Sequence, residues 1–328
     1  MSKYRRGDER NELLADVAEM YYVDDLTQAE ISRAIEMTRS AVSRMLSEAR
    51  QKGIVEISVR RPLHFDPQLE TALKERFNLQ GAHVLDWQRG NDYDRLRRQL
   101  GQTAAGALKD LLQPGMTCGV AWGTTVSATI ESLDVPDPVP MQIVQLVGVL
   151  QSNSHAFNAQ ALVEIMARKV GGEGTYLYSP FIVENAVTAH SIRNIPDVRE
   201  TLGAGKVCDI ALMGIGTVLD PAYSSLYQGG YIALETLEEL RRGGAVGDVG
   251  GVHIDINGNE AGGDFNDRMV GITGPDLLAI PTRLTVAGGV AKAEAILGAL
   301  RGGYVNLLVT DSETAEAVLE IDRAKVER

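Results

Sequence analysis

The chain has 328 residues, with 44 acidic and 32 basic side chains and a formal net charge of −12. Residues 1–61 carry 11 basic and 11 acidic side chains, so the whole negative excess lies in the rest of the chain. An acidic body of this kind excludes binding of DNA through the overall charge of the molecule. The length is enough for two or three domains.

Two cysteines and scattered histidines give no support for a disulfide framework or a metal site. Cys118 and Cys208 lie in apolar, strand-like runs, and His155, His190 and His253 are far apart in sequence. The chain has no basic-then-apolar leader and no apolar run of about 18 residues. We therefore expect a cytoplasmic protein with no membrane partner, no metal and no cofactor.

The N-terminal residues predict three helices and a short β-wing. Apolar residues recur at helical spacing from Leu13 to Tyr21, and residues 26–59 read LTQAEISRAIEMTRSAVSRMLSEARQKGIVEISV. Thr27 and Glu30 form a capping box that begins a second helix, which runs to about Ile35 with Ala29, Ile31, Ala34 and Ile35 on its apolar side. Glu36 and Met37 then fill a sharp turn.

Thr38 caps a third helix, from Arg39 to about Lys52. Its inner face is predicted to hold Ala41, Val42, Met45, Leu46 and Ala49, and its outer face Arg39, Ser40, Ser43, Arg44 and Ser47. Gly53 is expected to end this helix as a left-handed cap, and residues 54–60 alternate like a half-buried strand.

The short, hydrogen-bonding outer face of the third helix is typical of a recognition helix in the major groove of DNA. An ordinary amphipathic helix pair is the alternative, but caps, turn, outer face and wing agree on a DNA reader. The predicted DNA contacts are Thr27, Gln28, Thr38, Arg39, Ser40, Ser43, Arg44 and Arg60.

A break near Pro62 to Pro67 divides the chain into a predicted DNA-binding domain, residues 1–61, and a body, residues 62–328. Pro67 opens a helix with Leu69, Leu73 and Phe77 toward a core. The body then alternates strand-like and helical segments, which predicts a mostly parallel sheet covered on both faces. The predicted strands are 82–85, 117–121, 142–146, 175–178, 210–214, 284–287 and 304–310. Helices are predicted, for example, at 96–112, 159–170, 234–242 and 292–300.

Ligands of such sheets bind at the carboxyl ends of strands, and three of these junctions are rich in glycine. Gly123, Thr124 and Thr125 follow one strand, Gly214 and Gly216 another, and Gly288, Gly289 and Lys292 a third. Glycine lets backbone N–H groups approach an anion, and Thr or Lys can complete a phosphate site. Each junction alone is equally compatible with an ordinary tight turn.

The run from Gly203 to Lys206, GAGK, is not a nucleotide-binding P-loop, because the leading glycine spacing and the following Ser or Thr are missing.

The sequence resembles the SorC/DeoR-type bacterial transcriptional regulators along essentially the whole chain. The resemblance is carried by the N-terminal motif and by the segments AWGTT, GIGT, GAVGDVGG and GGVAKAEAILGALRGGYVNLLVTDSETAEAVL. The resemblance implies a winged helix-turn-helix joined to an α/β effector domain like the phosphosugar isomerase and glucosamine-6-phosphate deaminase fold. It also implies a tetramer, a dimer of dimers, that holds operator DNA until a sugar-like inducer binds.

Carried onto this chain, the resemblance implies an effector site at Gly123, Thr124, Thr125, Gly214, Gly216, Asp248, Gly288, Gly289 and Lys292. Asp248 would accept from sugar hydroxyls and Lys292 would hold the phosphate; the alternative for Asp248 is a turn residue between glycines. The strand IVQLVGVLQSNS lacks the basic residue that some relatives place there. The ligand is therefore expected to carry one phosphate or none.

Two functions follow from these features. The leading hypothesis is a ligand-responsive repressor of a carbohydrate or polyol operon that performs no catalysis. The alternative is a sugar-phosphate isomerase or deaminase, for which a general base beside the sugar carbonyl and a relay group would be expected. Asp248, Asp255 and His253 are the only candidates for that arrangement.

Overall fold

A computed structural model describes residues 2–55, 62–87, 92–150 and 158–326. It divides into two compact units, Met1–Pro62 and Leu63–Arg328. The smaller unit contains α1 (Ser2–Tyr22), α2 (Gln28–Ala34) and α3 (Arg39–Gln51).

The predicted caps of α2 and α3 are confirmed. The Thr27 hydroxyl accepts from the Glu30 N–H at 3.3 Å while the Glu30 carboxylate accepts from the Thr27 N–H at 2.9 Å. The Thr38 hydroxyl accepts from the Ala41 N–H at 3.2 Å. Glu36 in the turn has φ 51° and Gly53 after α3 has φ 70°, so both chain reversals use the left-handed region.

The core of the smaller unit is formed by one face of each helix. Leu14, Val17 and Ala18 of α1 are buried, as are Ile31 of α2 and Val42, Met45, Leu46 and Ala49 of α3. The prediction for α2 was partly wrong, because Ala29 and Ala34 are exposed and Ile35 is half-buried. A helix of seven residues presents only a narrow stripe to its neighbours, and Ile31 and Ile35 occupy it.

An ion-pair network joins α1 to α3. The Glu48 carboxylate accepts from Arg10 at 2.6 Å and lies 3.0 Å from the Lys52 ammonium. These two cations lower the pKa of Glu48 to about 2. Of the predicted wing, residues 56–61, including Arg60, lie outside the described residues.

The larger unit is built on one mostly parallel sheet, as predicted. Its path runs β1-β9-β8-β5-β2-β3-β4, and a short antiparallel hairpin, β6-β7, is attached to β5. The strands are β1 (Gly81–Leu85), β2 (Thr117–Val120), β3 (Gln142–Gln145), β4 (Glu173–Thr175), β5 (Ile210–Thr217), β6 (Gly247–Val249), β7 (Val252–Ile254), β8 (Thr282–Val286) and β9 (Leu307–Asp311).

Helices alternate with most of these strands. They are α4 (Pro67–Phe77), α5 (Tyr93–Leu111), α6 (Thr124–Ser132), α7 (Ala159–Val170), α8 (Ala186–Arg193), α9 (Pro196–Lys206), α10 (Ser225–Gln228), α11 (Leu234–Arg242), α12 (Asp264–Arg268), α13 (Gly274–Ala279), α14 (Ala293–Arg301) and α15 (Ser312–Val326). A 3-10 turn, Val290–Lys292, precedes α14.

Six of the predicted strands are found within a few residues of their expected bounds. The prediction of a strand at 175–178 was wrong by two residues or more, because β4 ends at Thr175 and the chain then leaves the sheet. The β6-β7 hairpin was not predicted, since each of its strands has only three residues, too few for a visible alternation.

The strand interiors are almost entirely apolar, which is expected when a parallel sheet is covered on both faces. Ile210, Leu212, Leu284, Val286 and Val309 are all buried. Cys118 and Cys208 are free thiols in this core, and burial raises the pKa of both. Neither thiol is therefore activated as a nucleophile.

Candidate effector cleft and DNA-binding helix

A cleft opens where β2, β5 and β8 end. β2 and β5 are adjacent. The next strand of the parallel sheet after β2, which is β3, lies on one side of this pair, and the next after β5, which is β8, lies on the other. Such a divergence leaves a crevice beyond the strands. The cleft encloses about 520 Å³, including its open mouth, and is lined by Trp122, Gly123, Thr124, Thr125, Gly214, Ile215, Gly216, Thr217, Val218, Ser224, Ser225, Leu226, Asp248, Gly250, Gly251 and Lys292.

One wall of the cleft is the N-terminus of α6. Gly123 is its N-cap residue, with φ 149°, and no side chain caps the helix there. The N–H groups of the first turn and the positive end of the helix dipole are thus available to an anion. The Thr125 hydroxyl donates to the Val286 carbonyl at 2.7 Å, so it fixes α6 to β8 and has no proton left for a ligand.

Lys292 supplies a buried positive charge. The side chain is only 5% exposed, and its ammonium donates to the Ile215 carbonyl at 2.9 Å. None of the ion pairs found among the described residues includes Lys292. A buried cation without a counter-ion favours the entry of an anion, because a partner charge offsets the cost of its desolvation.

Asp248 supplies a buried acceptor in the same cleft. Its Oδ2 accepts from the Gly251 N–H at 3.1 Å, and its Oδ1 lies directly over Gly216, the residue opposite it on β5. A Cβ on Gly216 would overlap that oxygen. The carboxylate can occupy this position only because residue 216 has no side chain.

Gly288 and Gly289 are not among the residues that line the cleft. The Gly289 N–H, which was predicted to face a phosphate, donates to the Asp311 carboxylate at 2.8 Å. Asp311 is buried and also accepts from the backbone and hydroxyl of Thr314. The chain's own carboxylate therefore occupies the place where an anion was expected at this junction.

The remaining predicted residues, Gly123, Thr124, Thr125, Gly214, Gly216, Asp248 and Lys292, come together in the cleft. The prediction did not include Trp122, Ser224, Ser225, Gly250 or Gly251. Gly250 and Gly251 have φ 56° and 87°, so the consecutive glycines after Asp248 were the available signal. Ser224 is the N-cap residue of α10 and Ser225 is its first residue. This helix of four residues has no recognisable sequence pattern, so neither serine could be found from sequence.

On α3 the predicted outer face is exposed to solvent except at Ser47, which is half-buried and donates to the Ser43 carbonyl at 3.0 Å. Arg39, Ser40, Ser43 and Arg44 are all exposed, and the Arg44 guanidinium bonds weakly to the Ser40 carbonyl at 3.4 Å. Gln28 is half-buried, while the hydroxyls of Thr27 and Thr38 serve as helix caps. Four small or basic side chains are therefore free to meet a partner surface.

Within the part of the chain that the structure describes, no group of three or more His, Cys, Asp or Glu side chains could hold a metal ion. No helix among those residues is long and apolar enough to cross a membrane.

Residues 61–320 match the family model described as "Putative sugar-binding domain". The chain is 30% identical to the "Deoxyribonucleoside regulator" of Bacillus subtilis (strain 168), over 95% of this chain and 98% of that protein. It is 33% identical to the "Transcriptional regulator LsrR" of Escherichia coli (strain SMS-3-5 / SECEC), over 94% of each chain. The full-length sorbitol operon regulator SorC from Klebsiella pneumoniae has a similar structure, with a TM-score of 0.70, 27% identity and coverage of 95% and 99%.

Proposed function

Because the chain belongs to the SorC/DeoR-type transcriptional regulators with a sugar-binding domain, we propose that its cleft binds a small phosphorylated sugar-like effector that controls operator binding. The chain is a ligand-responsive transcriptional regulator, as its relatives are, and not an enzyme. The isomerase or deaminase alternative is therefore set aside.

The observation that carries this proposal is that the cleft is lined both by positively charged groups and by a fixed carboxylate. Lys292 and the uncapped N-terminus of α6 provide positive potential, while Asp248 provides a fixed acceptor. A phosphate suits the positively charged groups, and sugar hydroxyls suit the carboxylate. Inorganic phosphate alone would leave Asp248 unused, and a neutral sugar would leave Lys292 without a counter-ion.

The proposed DNA-binding element is α3, within a winged helix-turn-helix. Arg39, Ser40, Ser43 and Arg44 project from its exposed face, where short donors and acceptors can reach base edges and arginines can reach guanine or phosphate. Gln28, Thr27, Thr38 and Arg60 are proposed to contact the DNA backbone. We propose that its partner is double-stranded operator DNA and that the protein works in the cytoplasm.

The proposed regulation is repression by a tetramer, a dimer of dimers, that releases its operator when effector binds. The effector domain is proposed to share the phosphosugar isomerase and deaminase fold. Effector and operator then weaken each other's binding by equal factors, since the coupling between two sites is reciprocal.

A pair of variants tests this division of labour. Arg44→Ala should weaken operator binding, measured by fluorescence anisotropy on DNA flanking the protein's own gene, without changing effector affinity. Lys292→Met should weaken binding of phosphorylated compounds, found by thermal shift in a panel of sugars, polyols and their phosphates, without changing basal operator affinity. Lys206→Met, at an exposed lysine paired with Asp276, is the matched control. If both main variants stay folded and each loses both activities, the two-site scheme is wrong.

A further inference from the structure

His253 of β7 is a fully buried histidine with an unusual lack of partners. The side chain is 0% exposed, and neither ring nitrogen has a hydrogen-bond partner among the described residues. The ring packs edge-on against Phe265, with 4.8 Å between centroids. The Asn266 amide accepts from the His253 N–H at 3.0 Å and donates to the His253 carbonyl at 3.1 Å. The Asn266 side chain and the Gly251 backbone also lie near the ring and favour its charged form, although neither meets hydrogen-bond geometry. Buried polar groups are normally paired, so this one requires an explanation.

The position of His253 relates it directly to the cleft. It is the cross-strand partner of Asp248 in the β6-β7 hairpin. Side chains of directly opposed residues in an antiparallel pair point to the same side of the sheet. The imidazole therefore neighbours the Asp248 carboxylate that lines the cleft.

The other charged groups on the elements around β7 have different partners or are partly exposed. Asp264 and Arg268 of α12 form an ion pair of 2.8 Å with each other, and Lys292 donates to Ile215. The remaining groups are Asp255 and Glu260 in the turn after β7, the exposed Asp267 of α12, and Glu294 and Arg301 of α14. Asp255 accepts from the backbone of Asn257 and Asn259, and Arg301 pairs with Asp322. Asp248 is thus the charged group whose field acts on His253.

We propose that uptake of a proton by His253 weakens effector binding, because the charged ring draws Asp248 and the adjoining Gly251 turn out of their binding arrangement. This inference rests on the proposed function of the cleft. A neutral imidazole can remain unpaired beside Phe265, whereas an imidazolium has two N–H donors that must find acceptors. The acceptors close to it are Asp248, Gly251 and Asn266, and the first two line the cleft.

The direction of the pH dependence follows from burial. Burial lowers the pKa of His253, and the nearby Asp248 carboxylate partly opposes that shift by raising it. The ring is therefore neutral near pH 7, and the cleft is in its binding form. As the pH falls through the lowered pKa, effector affinity decreases, and by linkage effector binding to the charged form expels the proton.

The first test needs no effector. The pKa of His253 is measured by NMR in the native protein and in Asp248→Asn, and its signal is assigned by its loss in His253→Phe. Removing the carboxylate should lower the pKa of His253 further, and the NMR signal of the half-buried His83 of β1 is the internal control. An unaltered His253 pKa in Asp248→Asn would overturn the coupling.

The second test measures glucose 6-phosphate binding between pH 5.5 and 8 by calorimetry, in the native protein, His253→Phe and the polar variant His253→Gln. The phosphate's own titration is common to all three proteins. The native protein should lose additional affinity, up to about tenfold per pH unit below the pKa of His253, since one proton is exchanged. Equal pH profiles in all three would refute the inference. Absence of binding at every pH would count against the proposed effector class, and the NMR result would still decide the His253–Asp248 coupling.

Discussion

Two glycine junctions of the sheet look alike in sequence and differ in structure. After β2, Gly123 leaves the N-terminus of α6 uncapped and facing the cleft. After β8, the Gly289 N–H donates to the buried Asp311 carboxylate, and Gly288 packs against the same group. The first junction can receive an external anion, whereas the second is already filled by the chain.

The difference shows that a glycine at a strand-to-helix turn indicates that another group lies close to the backbone there. The glycine does not indicate whether that group is a ligand or part of the chain. At Gly288 the approaching group is Asp311, 23 residues further along the chain. Its three internal donors satisfy it and fix the loop that leads to Lys292. The junction after β8 therefore stabilises the fold. It also positions Lys292, which lines the cleft together with the junction after β2.

Gly288→Ala should have the largest effect on stability and provides the strongest test of this contrast. The new Cβ would overlap Asp311 and Leu100, both buried, so a satisfied carboxylate would have to move. We expect a loss of about 3 kcal/mol in the free energy of unfolding, measured with urea, in line with overpacking combined with a disrupted buried polar group. A loss below about 1 kcal/mol would show that the junction is looser than its contacts indicate.

Gly123→Ala should have a smaller effect on stability and a larger one on binding. Its Cβ would meet nothing nearer than Val126 at 3.8 Å, so the cost is that of placing alanine at φ 149° and ψ 153°, a region that essentially only glycine occupies, about 2 kcal/mol. The altered turn would move the first N–H groups of α6. We therefore expect weaker binding of phosphorylated ligands, measured by calorimetry. Retained ligand affinity would mean that the helix N-terminus takes no part in the site.

Much of the fold could be predicted because its signals are local. Each of these signals is formed by residues that are close in sequence. Examples are the capping residues Thr27 and Thr38, the spacing of apolar residues in α3, and the alternation of strands with helices. The α7 and α11 bounds, Ala159–Val170 and Leu234–Arg242, agree with the prediction.

The parts of the cleft that were missed depend on contacts distant in sequence. Ser224 reaches the cleft through a loop that returns over β5, and Asp311 reaches Gly289 from the next strand. The Thr125 hydroxyl was expected to bind ligand, yet it donates to Val286, 161 residues away. No pattern in a single sequence indicates such pairings, because the same side chain can form a hydrogen bond with a ligand or with a distant part of the chain.

Gly106→Ala should produce the smallest change in the free energy of unfolding, and it should stabilise the protein. It provides the baseline for Gly288→Ala and Gly123→Ala. Gly106 lies in the interior of α5 on its exposed side, and an added Cβ would meet no atom within 4 Å. Alanine restricts the unfolded chain and favours the helix, so we expect stabilisation by about 0.5–1 kcal/mol in urea unfolding. Gly203→Ala on α9 has the same open surroundings and should behave alike. Destabilisation by both would show that alanine itself is unfavourable in this unit, and the losses at Gly288 and Gly123 could then not be assigned to their junctions.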